Sequence, residues 1–411
     1  MHETEYIKLS NGVTVILHDA AFSRKSTVAV FVNAGSNNET EKNHGISHFL
    51  EHMLFKGTKN RTSKEIVNTV EHNASEINAF TTKEKTSYYI VGPKEFVPNA
   101  IDLLHDMLFN SLFDEEEIQK EIKVVLQEQA EDGDDNLSAA ICCADAVLYK
   151  DQAQGRGVLG GKNIKDFNSA VLKEYHSTHY VASNIVVGVS ASLENKAALI
   201  TQIEKSFGTI APCKKISKPI EPQGATGTKI VYRPNDLSQV VLQFHLQDTV
   251  AYLNEVSAWA LGIGFSSPLF EEVRERKGLS YSVGASYEKS KLHSNIIMHA
   301  AVNTSKTFSF LRSCKKIINE SSKNLSNFNY ERAINNVVND LEYLYESRMA
   351  YLEYQADNLF DLGHALKIED EIEKVKRISK EDVKQNIAKL LQEPHAIVAV
   401  GKYDKKTILT I

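Results

Sequence analysis

The stretch Gly45-Ile46-Ser47-His48-Phe49-Leu50-Glu51-His52-Met53-Leu54-Phe55-Lys56-Gly57 predicts a packed helix that carries two histidines one turn apart. On such a helix both imidazoles can reach one metal ion, and Glu51 lies on about the same side. Two histidines at this spacing with a carboxylate between them are typical of zinc hydrolases. The order here is H-x-x-E-H, the reverse of the commoner H-E-x-x-H. The alternative is a pair of core histidines, and a third ligand elsewhere would decide between the two.

A helix predicted at residues 114–131 supplies a candidate third ligand. Its first turn is acidic, as the positive end of a helix dipole favours. Glu121 and Glu128 are seven residues apart, so they lie within about 20° of each other around the helix axis. Both border the apolar stripe of this helix, where a carboxylate needs a partner. A metal ion would supply one for Glu128, and Glu121 would steady the site from behind.

Bulk composition excludes several classes of function. The chain has 411 residues, 42% of them hydrophobic and 24% charged, which is typical of a globular protein with two or three domains. A net charge of −6 provides no basic field for nucleic acid. No apolar run is long enough to cross a membrane, and residues 1–5 do not resemble a targeting signal. Cys142, Cys143, Cys213 and Cys314 lack C-x-x-C spacing, which favours free thiols in a reducing, cytoplasmic setting.

Periodicity and turn signals predict an α+β fold that is duplicated within the chain. In the first half, strands are predicted at 6–9, 13–17, 26–32, 77–82, 86–91 and 185–189, with helices at 44–56, from 63, and at 95–110, 114–131 and 194–207. In the second half, strands are predicted at 228–233, 239–246, 280–287, 295–302 and 396–400, with helices at 252–263, 266–277, 305–320, 328–356 and 369–392. Each half is expected to be a mixed, largely antiparallel sheet with helices packed on it. The predicted domains are 1–212 and 228–411, joined by a linker at 213–227, and the second lacks the histidines.

These motifs together resemble the pitrilysin-type (M16) metallopeptidases, and within them the processing-peptidase-like subgroup. The resemblance covers His48 to His52 with its flanks, Asn78-Ala79-Phe80-Thr81 followed by Thr86-Ser87-Tyr88-Tyr89, and Val273-Arg274-Glu275-Arg276-Lys277-Gly278-Leu279-Ser280-Tyr281 in the second half. It therefore spans essentially the whole chain in the right order. Asn73-Ala74-Ser75 stands where that family usually has two glycines, and Pro268 stands where it usually has an arginine.

The resemblance implies a role for each candidate residue. His48, His52 and Glu128 would bind one Zn²⁺ per chain and leave a fourth position for water. Glu51 would be the general base, with Glu121 supporting the site. The remaining implied residues are the edge strand Asn78-Ala79-Phe80, which would bind the peptide, and the pair Arg274 and Tyr281, which would bind substrate and stabilise the transition state.

The implied function is a zinc-dependent endopeptidase that cuts unfolded or short peptides inside a closed dimeric chamber. A homodimer is expected, with a heterodimer of related subunits as the alternative. Two other functions stay open: a non-catalytic or regulatory partner subunit, and a structural assembly protein. The acidic stretch 114–135 either biases the chamber toward basic peptides or is ordinary solvated charge.

Overall fold

The computed structural model describes residues 4–21, 23–212, 221–247, 251–404 and 406–411. These residues form two compact units. The first contains the described residues of 1–129, 157–218 and 344–366, and the second contains those of 130–156, 219–343 and 367–411. Each unit therefore takes segments from both halves of the chain.

The first unit is built on a six-stranded sheet. Its strands are β1 (Thr4–Lys8), β2 (Thr14–Asp19), β3 (Lys25–Val32), β4 (Glu76–Thr81), β5 (Thr86–Pro93) and β6 (Ile185–Ala191). Their order is β1-β2-β6-β3-β5-β4, with β2 parallel to β6 and every other neighbouring pair antiparallel. Strands β1 and β2 form an antiparallel hairpin. Gly12 in its turn has φ +106°, a backbone conformation that glycine adopts without strain.

The second unit repeats this arrangement with five strands. They are β7 (Gly227–Tyr232), β8 (Leu237–Leu246), β9 (Val283–Lys289), β10 (Ser294–Asn303) and β11 (His395–Gly401). The order is β7-β11-β8-β10-β9, with β7 parallel to β11 and the other pairs antiparallel. It equals the order in the first unit once β1 is left out. The predicted α+β fold of two homologous halves is therefore confirmed.

The helices lie in the connections between these strands. In chain order they are α1 (Ile46–Met53), α2 (Ser63–His72), α3 (Val97–Phe109), α4 (Glu115–Asp134), α5 (Asn136–Tyr149), α6 (Ser169–His179), α7 (Lys196–Phe207), α8 (Leu253–Leu261), α9 (Pro268–Phe270), α10 (Thr307–Asn324), α11 (Asn327–Tyr343), α12 (Arg348–Leu362), α13 (Ile368–Lys376) and α14 (Lys380–Lys389). Helix α9 continues as π-helical turns over Glu271–Arg276.

Both faces of the first sheet are buried, which explains why its strands read as continuous apolar runs. Val15 and Leu17 of β2 belong to the large core that includes the apolar side chains of α1 and α3. Ile16, between them in sequence, points to the other face and packs with Phe31 of β3 against Leu352 of α12. The sheet therefore needs helices on both sides, and α12 covers the second side.

The two units exchange one helix each. Helix α12 comes from the second half of the chain but packs on β2, β3 and β6 of the first unit. Helix α5 comes from the first half but packs on β7, β8 and β11 of the second unit, where Leu148 joins Val241 and Val398 in a buried cluster. Gly188 of β6 marks how closely α12 approaches, because a Cβ there would lie 3.1 Å from Leu352 Cδ2.

This exchange differs from the predicted domains. The boundaries 1–212 and 228–411 assigned α5 and α12 to the half in which each lies in sequence, and the units assign them the other way. Residues 213–220 of the predicted linker lie outside the described residues, and β7 already begins at Gly227.

Several predicted elements have different bounds in the structure. The single helix predicted at 328–356 is wrong, because α11 ends at Tyr343 and α12 begins at Arg348. The helix predicted at 369–392 is likewise two helices, α13 and α14, and the strand predicted at 280–287 begins only at Val283. Each helix break is explained by a cap: Ser347 accepts a hydrogen bond from the Ala350 N–H, and Ser379 accepts one from the Asp382 N–H.

Two smaller sequence predictions concern membrane spans and thiols. Across the part of the chain that the structure describes, none of the helices has the length and hydropathy that a membrane crossing needs. As predicted, Cys142, Cys143 and Cys314 form no disulfide bond among the described residues. Cys213 lies outside the described residues.

Candidate metal centre

Helix α1 begins at a left-handed glycine and is capped by a buried carboxylate. Gly45 has φ +94°, and a Cβ on it would lie 2.6 Å from Gly160 Cα, so a larger residue would force the backbone to move. The Glu39 carboxylate accepts hydrogen bonds from the N–H groups of Gly45, at 2.7 Å, and Ser47, at 2.9 Å. A negative charge is stabilising at this end of a helix. These contacts fix the start of α1 and hence the direction of its histidines.

Three side chains of the first unit converge on one point: His48 and His52 of α1 and Glu128 of α4. The two imidazole Nε2 atoms lie 3.2 Å apart. His48 Nε2 lies 3.7 Å from Glu128 Oε1, and His52 Nε2 lies 3.6 Å from Glu128 Oε2. Within the described ranges, no other group of three or more histidine, cysteine or carboxylate side chains comes together in this way.

The donor set fits a zinc ion. Two imidazole nitrogens and one carboxylate oxygen are a ligand set of catalytic zinc, which keeps a fourth position open. Tetrahedral zinc with bonds of about 2.0–2.2 Å holds its ligand atoms about 3.3–3.6 Å apart. The imidazole nitrogens lie 3.2 Å apart, and those of His48 and His52 lie 3.7 and 3.6 Å from different oxygens of Glu128, which is close to that range. The ligand atoms are thus already spaced for an ion between them.

Glu121 contacts the centre through His52. Its Oε1 accepts a hydrogen bond from His52 Nδ1 at 2.7 Å, and its Oε2 lies 2.5 Å from Lys56 Nζ. With the proton on Nδ1, the lone pair of His52 Nε2 points at the centre. Burial raises the pKa of Glu121, but its hydrogen bonds to His52 and Lys56 outweigh burial and lower the pKa overall. Glu121 is therefore ionised and fixes both the tautomer and the orientation of the His52 ring.

The two histidines have opposite pKa shifts. Burial, assisted by the charge of His52, lowers the pKa of His48 to about 4. Burial acts on His52 in the same direction, but the hydrogen bond to Glu121 and its charge outweigh burial and raise the His52 pKa. His48 is therefore neutral and ready to bind a cation at neutral pH. A proton on His52 is the one that a metal ion has to displace.

Glu51 lies on α1 beside the two histidines but does not belong to the ligand group. Only 8% of its surface is exposed, and one carboxylate oxygen, Oε2, accepts a hydrogen bond from the Thr81 hydroxyl at 2.5 Å. Burial raises the pKa of Glu51, and the Thr81 hydrogen bond opposes that rise only in part. A carboxylate with a raised pKa beside a metal position is suited to accept a proton.

Strand β4, which carries Asn78, Ala79 and Phe80, is the edge strand of the first sheet, as predicted. It lies against α1. Ile77 and Ala79 pack on the core of the first unit, whereas Asn78 is exposed and its Oδ1 accepts a hydrogen bond from the Ala79 N–H at 2.8 Å. An edge strand leaves every second N–H and C=O free to pair with an added strand.

Comparison with known proteins identifies the family. Residues 14–156 match Insulinase (Peptidase family M16), and residues 166–337 match the Peptidase M16 inactive domain. The chain is 33% identical over 294 residues to YmxG of Bacillus subtilis (strain 168), an uncharacterized zinc protease, with 68% of this chain and 70% of that protein covered. The chain belongs to peptidase family M16.

Further similarities agree with this M16 assignment. Over 208 residues the chain is 35% identical to the mitochondrial-processing peptidase subunit beta of Saccharomyces cerevisiae (strain ATCC 204508 / S288c), covering 50% of this chain and 45% of that protein. The crystal structure of a protease from Helicobacter pylori has the same fold, with a TM-score of 0.89 at 20% identity, covering 98% of this chain and 100% of that one. The processing-peptidase-like resemblance is confirmed, and relatives named zinc proteases support a peptidase that uses zinc.

One departure from the M16 pattern has a structural counterpart. The sequence has Asn73-Ala74-Ser75 in place of a glycine pair, and Ala74 adopts φ +50°. Such a left-handed conformation favours glycine. The backbone shape that glycine would allow is therefore kept here by alanine, directly before β4.

Arg274 and Tyr281, the predicted substrate-binding pair, lie together in the second unit. The Arg274 guanidinium is 4.8 Å from the centre of the Phe270 ring and 4.4 Å from that of Tyr281. Tyr281 is 84% exposed. Arg274 lies in the π-helical turns that follow α9, a local geometry frequent at functional sites. Their action on a substrate stays a prediction.

Two other groups of polar side chains in the first unit have structural explanations. His176 stacks on Tyr180 and donates from Nε2 to the Leu108 carbonyl at 2.6 Å, and His179 stacks on Tyr175. These histidines are packing residues. At the acidic start of α4, the Asp114 carboxylate accepts hydrogen bonds from the Glu116 and Glu117 N–H groups and so caps the helix.

Three residues that hold this M16 centre were not predicted from the sequence: Glu39, Lys56 and Thr81. Thr81 could have been found, because strand alternation places it on the same face as Ile77 and Ala79. Lys56 follows His52 by one helical turn, which is also a usable signal. Glu39 lies in a loop that folds back on α1, and no local pattern indicates that contact.

Proposed function

We propose that this chain is a zinc-dependent endopeptidase that hydrolyses peptide bonds in unfolded or short peptides. The proposal rests on the different positions of three side chains of α1. His48 and His52 point with Glu128 at one position, while Glu51 is kept out of the ligand set and buried beside it. One zinc ion per chain follows from the single ligand group among the described residues.

The residues of the chain would divide the chemistry as follows. Zinc, when bound, lowers the pKa of water to about 7 and polarises a carbonyl group. Glu51 accepts the proton of the attacking water and later passes it to the leaving amine, which is worth about 10²–10⁴ in rate. Glu121 keeps the His52 lone pair directed at the centre.

Strand β4 supports the choice of substrate. A peptide that pairs with its outer edge through Asn78, Ala79 and Phe80, and takes the place of the Asn78 side chain on the Ala79 N–H, forms main-chain hydrogen bonds, which tolerate many side chains. Such pairing requires an extended segment, so unfolded and short peptides are favoured over folded proteins. The acidic residues of α4 would add a preference for basic peptides.

We further propose a homodimer that encloses the peptide, in which Arg274 and Tyr281 hydrogen-bond the substrate carbonyl. A heterodimer with a related subunit is the alternative. The mass of the native protein, measured with the masses of its chains, distinguishes the two. Arg274→Ala should reduce hydrolysis without reducing zinc content. Lost zinc in this variant would contradict the assigned role.

The decisive experiment is Glu51→Gln. We expect full zinc content by metal analysis and a rate on an unstructured fluorogenic peptide reduced about 10²–10⁴-fold. Chelation should abolish wild-type activity, and added zinc should restore it. Glu255→Gln, on the equivalent helix α8 of the second unit, is the matched control and should keep its rate. A Glu51→Gln protein with full activity would overturn the proposal.

The pH profile gives an independent check. Glu51 must be ionised to accept a proton, and burial raises its pKa. Activity should therefore be lost on acidification as the Glu51 carboxylate becomes protonated. A profile of kcat/KM measured on zinc-loaded enzyme shows the position of this acid limb.

A further inference from the structure

We infer that Thr81 is a positioning residue for Glu51: its hydroxyl holds one carboxylate oxygen and leaves the other for the transferred proton. This inference rests on the proposed function. The hydrogen bond from Thr81 Oγ1 to Glu51 Oε2 is 2.5 Å long, and Glu51 is 8% exposed. An ionised carboxylate only accepts hydrogen bonds, so the threonine is the donor. Oε1 is then the oxygen left for proton transfer.

The backbone that carries Thr81 is held on one side by the loop after β3. Thr81 is the last residue of β4, and the turn to β5 follows it. The carbonyl of Thr82 accepts a hydrogen bond from the Ser36 N–H at 3.2 Å, and the carbonyl of Lys83 accepts one from the Asn37 N–H at 2.7 Å. The loop approaches so closely that a Cβ on Gly35 would lie 2.4 Å from the Thr82 carbonyl oxygen.

A buried lysine holds the same turn from the other side. Lys85 is 7% exposed, and its Nζ lies 2.8 Å from a Glu353 oxygen and 2.6 Å from an Asp357 oxygen, both on the exchanged helix α12. A buried charge that lost these partners would be costly, so the contact is specific. The turn after Thr81 is thus clamped between two parts of the first unit.

This clamp has a consequence for the reaction. The strand edge that would pair with a peptide ends at the residue that holds the base. One rigid segment therefore sets both the register of the substrate and the direction of the Glu51 carboxylate. Errors of about 1 Å in such an alignment can cost about 10²-fold in rate.

Thr81→Val tests the inference, because it keeps the shape and β-propensity of the residue and removes the hydroxyl. We expect kcat to fall about 10–100-fold, with KM within about twofold and zinc content unchanged. Thr81→Ser restores the hydroxyl and should recover most of the rate. Thr69→Val is the matched control, because its hydroxyl donates to a carbonyl on α2, and its rate should be unchanged. An unaltered kcat in Thr81→Val would overturn the inference.

Two double-mutant cycles test whether Thr81 acts through Glu51. In a Glu51→Gln background, Thr81→Val should cause no further loss of rate, because the base through which it acts is gone. In the metal-free protein, the shifts in Tm caused by Thr81→Val and Glu51→Leu should be non-additive, which requires no activity. Additive effects in either cycle would contradict a contact between the two side chains.

The outcomes separate this inference from the proposed function. A fully active Glu51→Gln protein would overturn both. An inactive, zinc-loaded Glu51→Gln protein together with a fully active Thr81→Val protein would overturn only the role of Thr81.

Discussion

The two units share a strand order but differ in one helix, which follows β3 in the first unit and β8 in the second. In the first unit α1 presents His48 and His52, whose Nε2 atoms face each other at 3.2 Å. In the second unit the equivalent helix α8 presents Asn254 and Ser257, and the Asn386 amide donates to both at 2.9 Å. Buried polar groups of α8 are thus paired within the protein, whereas those of α1 point at a position for an ion. The duplicated fold therefore forms in the second unit without such a ligand group among its described residues.

The largest expected effect tests whether only one unit binds zinc. The second unit also has two buried histidines close together, His245 and His293, with ring centres 5.4 Å apart. His245 Nδ1 already lies 3.1 Å from the Tyr149 hydroxyl, and no carboxylate completes a metal group there among the described residues. We expect His48→Ala and His52→Ala each to abolish hydrolysis and stoichiometric zinc, measured per folded chain.

The matched substitutions are His245→Asn and His293→Asn. Both should keep one zinc per chain. Zinc lost from either of them, with the fold intact by circular dichroism, would contradict the assignment of the metal to the first unit alone.

The next largest effect is a loss of stability expected from substitutions in the two exchanged helices. Leu352 of α12 and Leu148 of α5 are fully buried, each against the sheet of the unit that it joins. Leu→Ala at either position should reduce the free energy of unfolding by about 2–5 kcal/mol, because each leaves a cavity. Urea unfolding measures the loss. Leu362→Ala is the control, since Leu362 is 53% exposed at the end of α12. If Leu352→Ala or Leu148→Ala reduced the free energy of unfolding as little as Leu362→Ala does, the two exchanged helices would not be equally important for stability.

A smaller effect on zinc affinity is expected when one of two buried carboxylates, one in each unit, is substituted. Glu121→Gln should weaken zinc binding about 10–100-fold, because the charge behind His52 is lost. Glu272 of the second unit is similarly buried, with Lys277 and Lys316 each 3.0 Å from its Oε1. Glu272→Gln should leave the zinc affinity unchanged. Competition with a chelating dye measures both affinities, and equal losses would show that the effect is not local.

The smallest expected effect comes from removing a helix cap in each unit. Thr62 caps α2 of the first unit and Ser379 caps α14 of the second, and each is part of a reciprocal capping box. Thr62→Ala and Ser379→Ala should each reduce the free energy of unfolding by about 1 kcal/mol. Thr62→Ser serves as the control and should cost far less. A loss of unfolding free energy in only one of the two alanine variants would show that the two units differ in more than the metal ligands.

Local sequence patterns predicted most elements of the fold. The runs Val13–Leu17 and Val28–Val32 became strands because β-branched residues fit a sheet that is covered on both faces. The breaks before α12 and α14 were missed, although Ser347 and Ser379 are both good cap residues. Apolar periodicity continues across each break and hides the cap. An amphipathic pattern also states only that a helix face is buried, not on which sheet, so the exchange of α5 and α12 could not be predicted.

The residues of the candidate site were also predicted only in part. The spacing of His48 and His52 determines that they share a helix face, so their proximity follows from helical geometry. Glu128 was reached because Glu121 and Glu128 border one apolar stripe. The hydrogen bond between Thr81 and Glu51 joins two elements through the tertiary fold, and alternation along β4 gives only the face. Glu39 depends wholly on how a loop returns to α1.

The exchange of α12 also has a consequence for biosynthesis. A ribosome makes β2, β3 and β6 early, but the helix that covers their second face is complete only at Leu362. Until then Ile16, Phe31 and Val186 remain without the partners Leu352, Ala356 and Phe360. Between the synthesis of Ala191, where β6 ends, and that of Leu362, the nascent chain therefore carries an uncovered apolar sheet face, a state prone to aggregation. Its first unit should depend on chaperones that shield emerging chains, and a ribosome that stalls before residue 362 should release insoluble product.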